Sequence, residues 1–238
     1  MIGCSSDSAP DCFQRAGDLV RDEVEVTEFT KITVFENVNL ILKDGEETKV
    51  EVETGEYLRN DVSVSVEDGR LILENSNSCN FVRDYGLTTI YVTAPDISEI
   101  RSSTGLRIAS DGVLSYESLR LISESFISSE SETTDGEFDL DVDCNGLNIL
   151  VNGITYFKLR GTTDFLGVAI AAGDSRVEAE DLDAQFVDID HRGSNDILVN
   201  PIDGIKGDIR GTGDVISFTR PLVVEVEETY KGKLIFKD

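Results

Sequence analysis

One short phrase is repeated three times in the second half of this sequence: Arg160-Gly161-Thr162-Thr163-Asp164-Phe165, Arg192-Gly193-Ser194-Asn195-Asp196-Ile197 and Arg210-Gly211-Thr212-Gly213-Asp214-Val215. Its pattern is arginine, glycine, serine or threonine, a variable residue, aspartate and an apolar residue. Degenerate copies at Gly153 and Gly173 keep only the glycine and an apolar residue four positions later. The series Gly153, Gly173, Gly193 and Gly211 has a period of roughly 20 residues, which predicts stacked structural repeats.

The residues around each glycine predict a strand, a tight corner and a second strand, as in a β-solenoid. Phe157 and Leu159 alternate with polar residues before Gly161, which is the pattern of a strand with one buried face. Glycine permits a positive φ in the corner, and the polar residues after it bond to free backbone groups. The corner residues expected on this basis are Gly153, Gly161, Gly173, Gly193, Gly211, Asp164, Asp196 and Asp214.

The repeated corners carry a resemblance to a known family. They end in Gly211-Thr212-Gly213-Asp214-Val215 and then Pro221, and they resemble the head GIN domain family of putative autotransporter adhesins, which is common in Bacteroidetes lipoproteins. The likeness covers most of the chain and is clearest from Gly153 to Pro221. It implies an all-β fold, a right-handed parallel β-helix similar to pectin-lyase solenoids. It further implies adhesion and no established catalytic residues.

The strand pattern divides the chain into a tether and one domain. Residues 1–22 are predicted to be a lipoprotein-type N-terminal tether, and residues 23–238 a single β-solenoid domain. Within the domain we expect irregular or antiparallel strands over about 23–95 and regular rungs, each one turn of the coil, over about 96–221. A hairpin over 222–238 is expected to cap the last rung, since a solenoid needs a covered edge.

The N-terminal residues predict a lipid anchor. Gly3-Cys4-Ser5-Ser6 resembles the end of a bacterial lipoprotein signal, with Cys4 as the lipidation point and a polar, charged segment after it. This predicts an outer-membrane lipoprotein in the cell envelope of a Gram-negative bacterium, facing the periplasm or the cell surface. No stretch of the sequence is apolar over the length of a membrane span.

The other three cysteines are expected in two states, a disulfide and a buried free thiol. Cys12 and Cys79 lie in polar contexts and are candidates for a disulfide in an oxidising compartment. Cys144 continues an alternating apolar series, which predicts a buried free thiol. With no Cys-x-x-Cys pair and one histidine in the chain, a zinc site is not expected.

The charged residues do not form a recognisable catalytic motif. Asp139, Asp141 and Asp143 have the spacing that opens an EF-hand loop, but the glycine and glutamate required later in that loop are missing. The repeated aspartates are a candidate carboxylate column for Ca²⁺ or glycan hydroxyls, but are better explained as acceptors within turns. His191 lies beside carboxylates, as in a glycosidase or lyase, but its register points inward.

The composition and the resemblance together favour a binding protein. A net charge of −26 in 238 residues disfavours nucleic acid and anionic lipid as partners. We expect a non-enzymatic adhesion or ligand-binding lipoprotein without a cofactor or metal. Its candidate partners are a glycan, with or without Ca²⁺ bridges, or a host or cell-surface protein. The alternatives are a carbohydrate-active enzyme on the same scaffold and a structural spacer.

Overall fold

The computed structural model describes residues 14–77, 85–127, 131 and 133–237. In these ranges the chain forms seventeen strands: β1 Leu19–Val24, β2 Lys31–Val34, β3 Asn39–Asp44, β4 Lys49–Gly55, β5 Val62–Glu67, β6 Arg70–Asn75, β7 Thr89–Ala94, β8 Glu99–Ser102, β9 Arg107–Leu114, β10 Ser118–Ser123, β11 Glu137–Val151, β12 Tyr156–Ile170, β13 Arg176–His191, β14 Ile197–Ile209, β15 Val215–Ser217, β16 Val223–Glu228 and β17 Leu234–Phe236. The helical structure described is one 3-10 turn at Arg59–Asp61. None of the described segments is a helix with the length and hydropathy of a membrane span.

The strands form two rows. Row A runs in the order β5, β6, β2, β8, β10, the C-terminal halves of β11, β12, β13 and β14, and then β16. Row B runs β1, β4, β7, β3, β9, the N-terminal halves of the same four long strands, β15 and β17. Because each long strand belongs to both rows, the mixed sheet nearly closes on itself.

The long strands β11 to β14 stack in parallel and in register. Phe138 is paired with Phe157, Phe157 with Val177, and Val177 with Ile197, so equivalent residues lie above one another in successive rungs. Parallel pairing of this kind keeps each apolar column on the same side of the sheet. The prediction of an all-β chain with stacked strands is confirmed.

The N-terminal region was expected to be irregular or antiparallel, but it combines antiparallel and parallel pairs, and the parallel stack begins earlier than about residue 96. Strands β5 and β6 form an antiparallel hairpin whose turn residues Asp68 and Gly69 have φ values of 48° and 72°. Two positive φ values fit a type I′ turn, which matches the twist of the strands. However, β2 already pairs in parallel with β8, where Lys31 lies opposite Glu99. The first rung therefore starts near Lys31.

Two other features differ from those predicted, the end of the tether and the regularity of the rungs after β10. Strand β1 pairs with β4 from Leu19 onward, so the tether cannot extend to residue 22. The repeat is interrupted after β10, where Glu124 is buried against Arg101 and accepts backbone N–H bonds from Phe126 and Ile127. Because the Glu124 carboxylate holds these two N–H groups, the chain forms a loop here and not a further rung.

The expected C-terminal capping hairpin is absent from the described chain. Strand β16 pairs in parallel with β14, and β17 pairs in parallel with β15, so the two strands extend different rows. By continuing the coil, β16 and β17 each pair with a strand whose inward and outward side chains alternate in the same way. A hairpin would have left the edges of β14 and β15 unpaired.

A single apolar core fills the space between the rows. It consists mainly of valine, leucine and isoleucine, with the stacked rings of Phe138 and Phe157 at a centroid distance of 5.0 Å. Cys144 lies in this core as a buried free thiol, as predicted. Burial raises the pKa of Cys144, so the thiol is a poor nucleophile at neutral pH.

Candidate ligand-binding face

The predicted corner glycines form a column at one edge of the coil. Gly153, Gly173, Gly193 and Gly211 lie in the short connections that follow the long strands β11, β12, β13 and β14, and Gly232 continues the column. At the first four glycines the N–H of the following residue donates to a carbonyl one rung earlier, as Thr212 does to Gly193 at 3.0 Å, and at the fifth the N–H of Gly232 itself donates to Gly211 at 3.1 Å. The column thus continues the hydrogen bonding of the sheet through the corners.

The reason for glycine at these corners differs from the one expected. Among the five predicted glycines, only Gly161 and Gly173 have positive φ, at 108° and 91°. At Gly211 a Cβ atom would instead lie 2.1 Å from the carbonyl oxygen of Gly193. Close stacking of backbone on backbone, more than turn conformation, therefore excludes a side chain at this corner.

Gly161 does not lie in a corner of this column. It is inside β12, where the strand passes from row B to row A, and its Cβ would lie 2.0 Å from the carbonyl oxygen of Val142. Asp164 is correspondingly on the exposed surface of the same strand. The first copy of the phrase therefore bends a continuous strand, whereas the copies at Gly193 and Gly211 connect two strands.

The aspartates at the other two corners bind backbone groups of the next rung. Asp196 accepts the N–H of Asp214 at 3.0 Å, and Asp214 accepts the N–H of Lys233 at 2.8 Å. Such bonds account for these carboxylates without a ligand. In the described residues no cluster of three or more histidine, cysteine, aspartate or glutamate side chains is arranged for a metal ion.

The acidic strand β11 has basic partners that the sequence reasoning did not anticipate. Asp139 is held between Arg107 and Arg160, and Arg160 also donates to Asp141 at 2.7 Å. Asp143 accepts a hydrogen bond from Thr162 at 2.7 Å. This surface of row B is therefore a network of internal ion pairs, and its carboxylates are already partnered.

His191 points into the core, as its register predicted. It is 0% exposed and lies in one column with Ile170 and Ile209. The backbone N–H of Gly193 donates to its Nδ1 at 3.4 Å. Burial lowers the pKa of His191, which favours the neutral ring. A buried neutral histidine cannot contact a polymer on the outside of the coil.

The outer surface of row A carries a column of polar side chains that is interrupted at Gly167. Neighbouring strands pair in register along it through the residues Arg70, Lys31, Glu99, Arg120, Asn148, Gly167, Asp188, Lys206 and Glu225. At about 4.8 Å per strand the column is roughly 40 Å long. Its length and rigidity suit an extended ligand.

Two aromatic rings lie beside this column, the exposed Phe186 and the half-buried Phe165. Phe165 and Phe186 are paired in register on β12 and β13, and Phe186 is 51% exposed. Cβ atoms added at Gly167 and Gly204 would lie 3.2 and 3.1 Å from the rings of Phe165 and Phe186, respectively, so each ring covers a glycine. We call these four residues the aromatic strip. Asp188 and Lys206, which pair at 3.2 Å, supply polar groups next to it.

A cleft opens on the same surface at the N-terminal end of row A. Its volume is about 350 Å³, and its lining residues are Thr33, Phe35, Ser65, Glu67, Arg70, Ile72 and Glu74. Arg70 donates to Glu99 at 2.5 Å and to the hydroxyl of Thr33 at 3.1 Å. The cleft therefore combines apolar walls with an oriented guanidinium and two further carboxylates.

The strip and the cleft were not found from the sequence. The sequence pattern predicts that Phe165 restarts a strand after a corner, but the strand is continuous through the bend at Gly161, and Phe165 lies half-buried on its outer side. A glycine two residues from an aromatic residue lies on the same side of the strand, as in Phe165-Leu166-Gly167. This spacing is the sequence signal that could have indicated a flat exposed surface. The cleft depends on pairing between β2 and β6, which are distant in sequence.

Comparison with solved structures shows the fold. A putative adhesin from Bacteroides fragilis is similar with a TM-score of 0.79 and 21% identity, covering 92% of this chain and 97% of that one. A putative adhesin from Parabacteroides merdae has a TM-score of 0.61, 14% identity and coverages of 93% and 97%. A putative lipid binding protein from Parabacteroides distasonis has a TM-score of 0.62, 13% identity and coverages of 92% and 97%.

The sequence itself matches a family model over most of its length. A comparison with curated proteins gave no match. The family model for putative auto-transporter adhesins, head GIN domain, matches residues 28–221, which include strands β2 to β15 and all the predicted corners. The chain belongs to this head GIN domain family of putative adhesins.

Proposed function

We propose that the protein is a non-enzymatic adhesion protein that binds a glycan along the outer surface of row A. The observation that carries the proposal is the aromatic strip, in which Phe165 and Phe186 form adjacent rings above glycines. The apolar faces of sugar rings pack on aromatic rings, while neighbouring polar side chains bond to the hydroxyl groups. Asn148, Asp188 and Lys206 lie in position for such bonds.

The scaffold for this surface is proposed to be a right-handed parallel β-helix of the pectin-lyase kind. A regular stack of strands presents side chains at fixed spacing and loses little conformational freedom on binding. The partner is expected to be a neutral glycan, because a net charge of −26 repels anionic polymers. An acidic glycan is expected to bind only when Ca²⁺ bridges it to the surface.

Substitution of the strip tests this function. Phe186→Ala is expected to weaken binding to a glycan selected on an array by about 10-fold, since a central aromatic contact is lost. Phe126→Ala removes another exposed aromatic ring, on the loop after β10, and is the matched control. Arrays with and without Ca²⁺ separate direct binding from bridged binding. Equal binding by the wild type and Phe186→Ala would contradict the proposal.

A carbohydrate-active enzyme is the second candidate, and the cleft is the observation that favours it. Glu67 and Glu74 line the cleft together with Arg70, and two carboxylates are the groups that glycosidases use. The same glycans can be incubated with the protein and assayed for released sugar. Release that disappears in Glu74→Gln would replace the binding function with an enzymatic one. His191 is buried and is not a candidate for this chemistry.

We further propose a location in the cell envelope, where Cys4 carries a lipid and the following residues act as a tether. Cys4, Cys12 and Cys79 lie outside the described residues, so both the anchor and a disulfide between Cys12 and Cys79 stay predictions. The family supports the cell surface through its description as adhesins.

Labelling of the full precursor with palmitate tests the anchor. The wild type is expected to take up label and sediment with outer membranes, and Cys4→Ser is expected to lose both properties. Cys12→Ser is the control, because it removes a cysteine outside the lipoprotein-like sequence. A precursor that stays unlabelled, or a Cys4→Ser variant that is labelled normally, would contradict the anchor.

A further inference from the structure

We propose that the aromatic strip binds an unbranched glycan with β-1,4 linkages, and that three consecutive sugars of this chain lie across β12, β13 and β14. The binding of such a chain rests on the proposed glycan-binding function of row A. Its linkage and its direction on the surface are inferred from the positions of the two rings and of the polar groups between them.

The two rings of the strip lean in different directions. Phe165 leans along its own strand β12, because a Cβ atom at Gly167 would lie 3.2 Å from its ring. Phe186 belongs to β13 but leans across to β14, where a Cβ atom at Gly204 would lie 3.1 Å from its ring. The glycines that the rings cover therefore belong to strands two spacings apart, which is roughly 10 Å across the sheet.

This spacing matches the repeat of an extended β-1,4-linked glycan. In such a chain each pyranose ring is turned over relative to its neighbours, so every second sugar presents the same face to a flat surface. The repeat of two sugars is close to two strand spacings. The first and third sugars can therefore stack on Phe165 and Phe186, since the apolar face of a pyranose packs on an aromatic ring. An α-1,4-linked chain curves away from a flat surface and reaches only one of the rings.

The positions of the rings also determine the direction of the chain. A glycan that followed a single strand would meet one ring and then, along β13, the carboxylates of Asp188 and Asp190. A glycan that crosses the strands meets both rings. The register of β12 to β14 fixes the distance between them before binding, so little conformational freedom is lost when the ligand binds.

The polar groups around the strip fit the hydroxyl groups of the same three sugars. Asp188 lies on β13, which the middle sugar crosses, in register between Gly167 of β12 and Lys206 of β14. Its carboxylate pairs with the Lys206 amine at 3.2 Å, and the two side chains are 40% and 58% exposed. Asn148 supplies an amide beside the first sugar, since its Oδ1 would lie 2.6 Å from a Cβ atom at Gly167. These groups offer both acceptors and donors without a net charge, which suits a neutral sugar.

Titration calorimetry with oligosaccharides of defined length tests the linkage. The ligands are the di- and trisaccharides of β-1,4-linked glucose and of β-1,4-linked N-acetylglucosamine, with maltose and maltotriose as α-1,4-linked controls. For at least one β-1,4-linked series we expect the trisaccharide to bind the wild type at least about 10-fold more tightly than the disaccharide, because only three sugars reach both rings. Maltotriose should show no such gain over maltose.

Removal of either ring tests the direction of the chain. Phe186→Ala and Phe165→Leu should each bind the trisaccharide only as tightly as the disaccharide, whereas the disaccharide, which needs one ring, should bind nearly as it does to the wild type. Leucine keeps the apolar contact of the half-buried Phe165 but has no flat face. Phe126→Ala, on the loop after β10, is the matched control and should keep the full gain from the third sugar.

Two kinds of negative result are distinguishable. If the wild type binds array glycans but neither β-1,4-linked series, or binds the trisaccharides no more tightly than the disaccharides, the three-sugar site is wrong and a glycan-binding surface remains. An equal gain for maltotriose, or a gain that survives the loss of either ring, would likewise overturn the linkage or the direction. If no glycan binds on the array or in calorimetry, the proposed function itself is wrong.

Discussion

Gly211→Val is expected to destabilise the protein by at least about 3 kcal/mol. A Cβ atom at this corner would lie 2.1 Å from the carbonyl oxygen of Gly193 and 2.8 Å from the carbonyl carbon of Arg192. Both are backbone atoms of the previous rung, so they cannot move without breaking the corner. The same displacement would disturb the bonds that Thr212 and Gly213 donate to Gly193 at 3.0 and 3.2 Å. The loss is measured as a shift of the denaturant midpoint.

Gly146→Val is the matched control for this variant. Gly146 lies in β11, and its Cβ would meet its nearest neighbour, the hydroxyl of Ser118, at an ordinary distance of 3.5 Å. A β-branched residue suits a strand, so the change in the free energy of unfolding should stay within about 1 kcal/mol. Similar stabilities for the Gly211 and Gly146 variants would show that the corner column tolerates side chains.

The stability of the protein is expected to depend on the protonation of His191. Burial lowers the pKa of this residue in the folded state, and the carboxylates of Asp196 and Asp214 offset that effect only in part. In the unfolded chain its pKa is about 6.5. As the pH falls below that value, the unfolded chain binds a proton that the folded protein excludes. The contribution of the neutral ring to stability is therefore full above about pH 6.5 and is lost progressively below it.

His191→Ile isolates this effect. Isoleucine occupies the same column one rung earlier and one rung later, at Ile170 and Ile209. The two proteins share the other charged groups, so the difference between their unfolding free energies at each pH reports His191. As the pH is lowered from 7 to 5, we expect the wild type to lose more of its free energy of unfolding than the His191→Ile variant does. A constant difference across this range would show that His191 is protonated in the fold as easily as in the unfolded chain.

The sequence predicted the stacked part of the fold well because its signal is local and repeated. Alternating apolar residues such as Phe157 and Leu159 determine which side of a strand is buried. The glycine period places the connections between the long strands, because every rung must bring its corner close to the previous one. The buried positions of His191 and Cys144 follow from the same alternation.

The places where prediction failed depend on partners that are distant in sequence. The phrase around Gly161 and the phrase around Gly211 look alike, yet one bends a strand and the other joins two strands. The difference is made by the neighbouring rung, which approaches the chain at a different point in each case. The partners of β16 and β17 were mistaken for the same reason, since a hairpin and two separate pairings have similar local patterns.

The candidate binding surface also combines features that the local sequence determines with features that depend on residues distant in sequence. The sequence by itself determined an all-β chain, the inward columns and the glycine corners, because each follows from the spacing of neighbouring residues along one strand. Only the tertiary structure decided that Phe165 and Phe186 lie side by side above glycines, and that Arg70 faces a cleft between β5, β6 and β2. Those arrangements join residues of different strands, and their distances are set by the register of the sheet, which no single stretch of sequence contains.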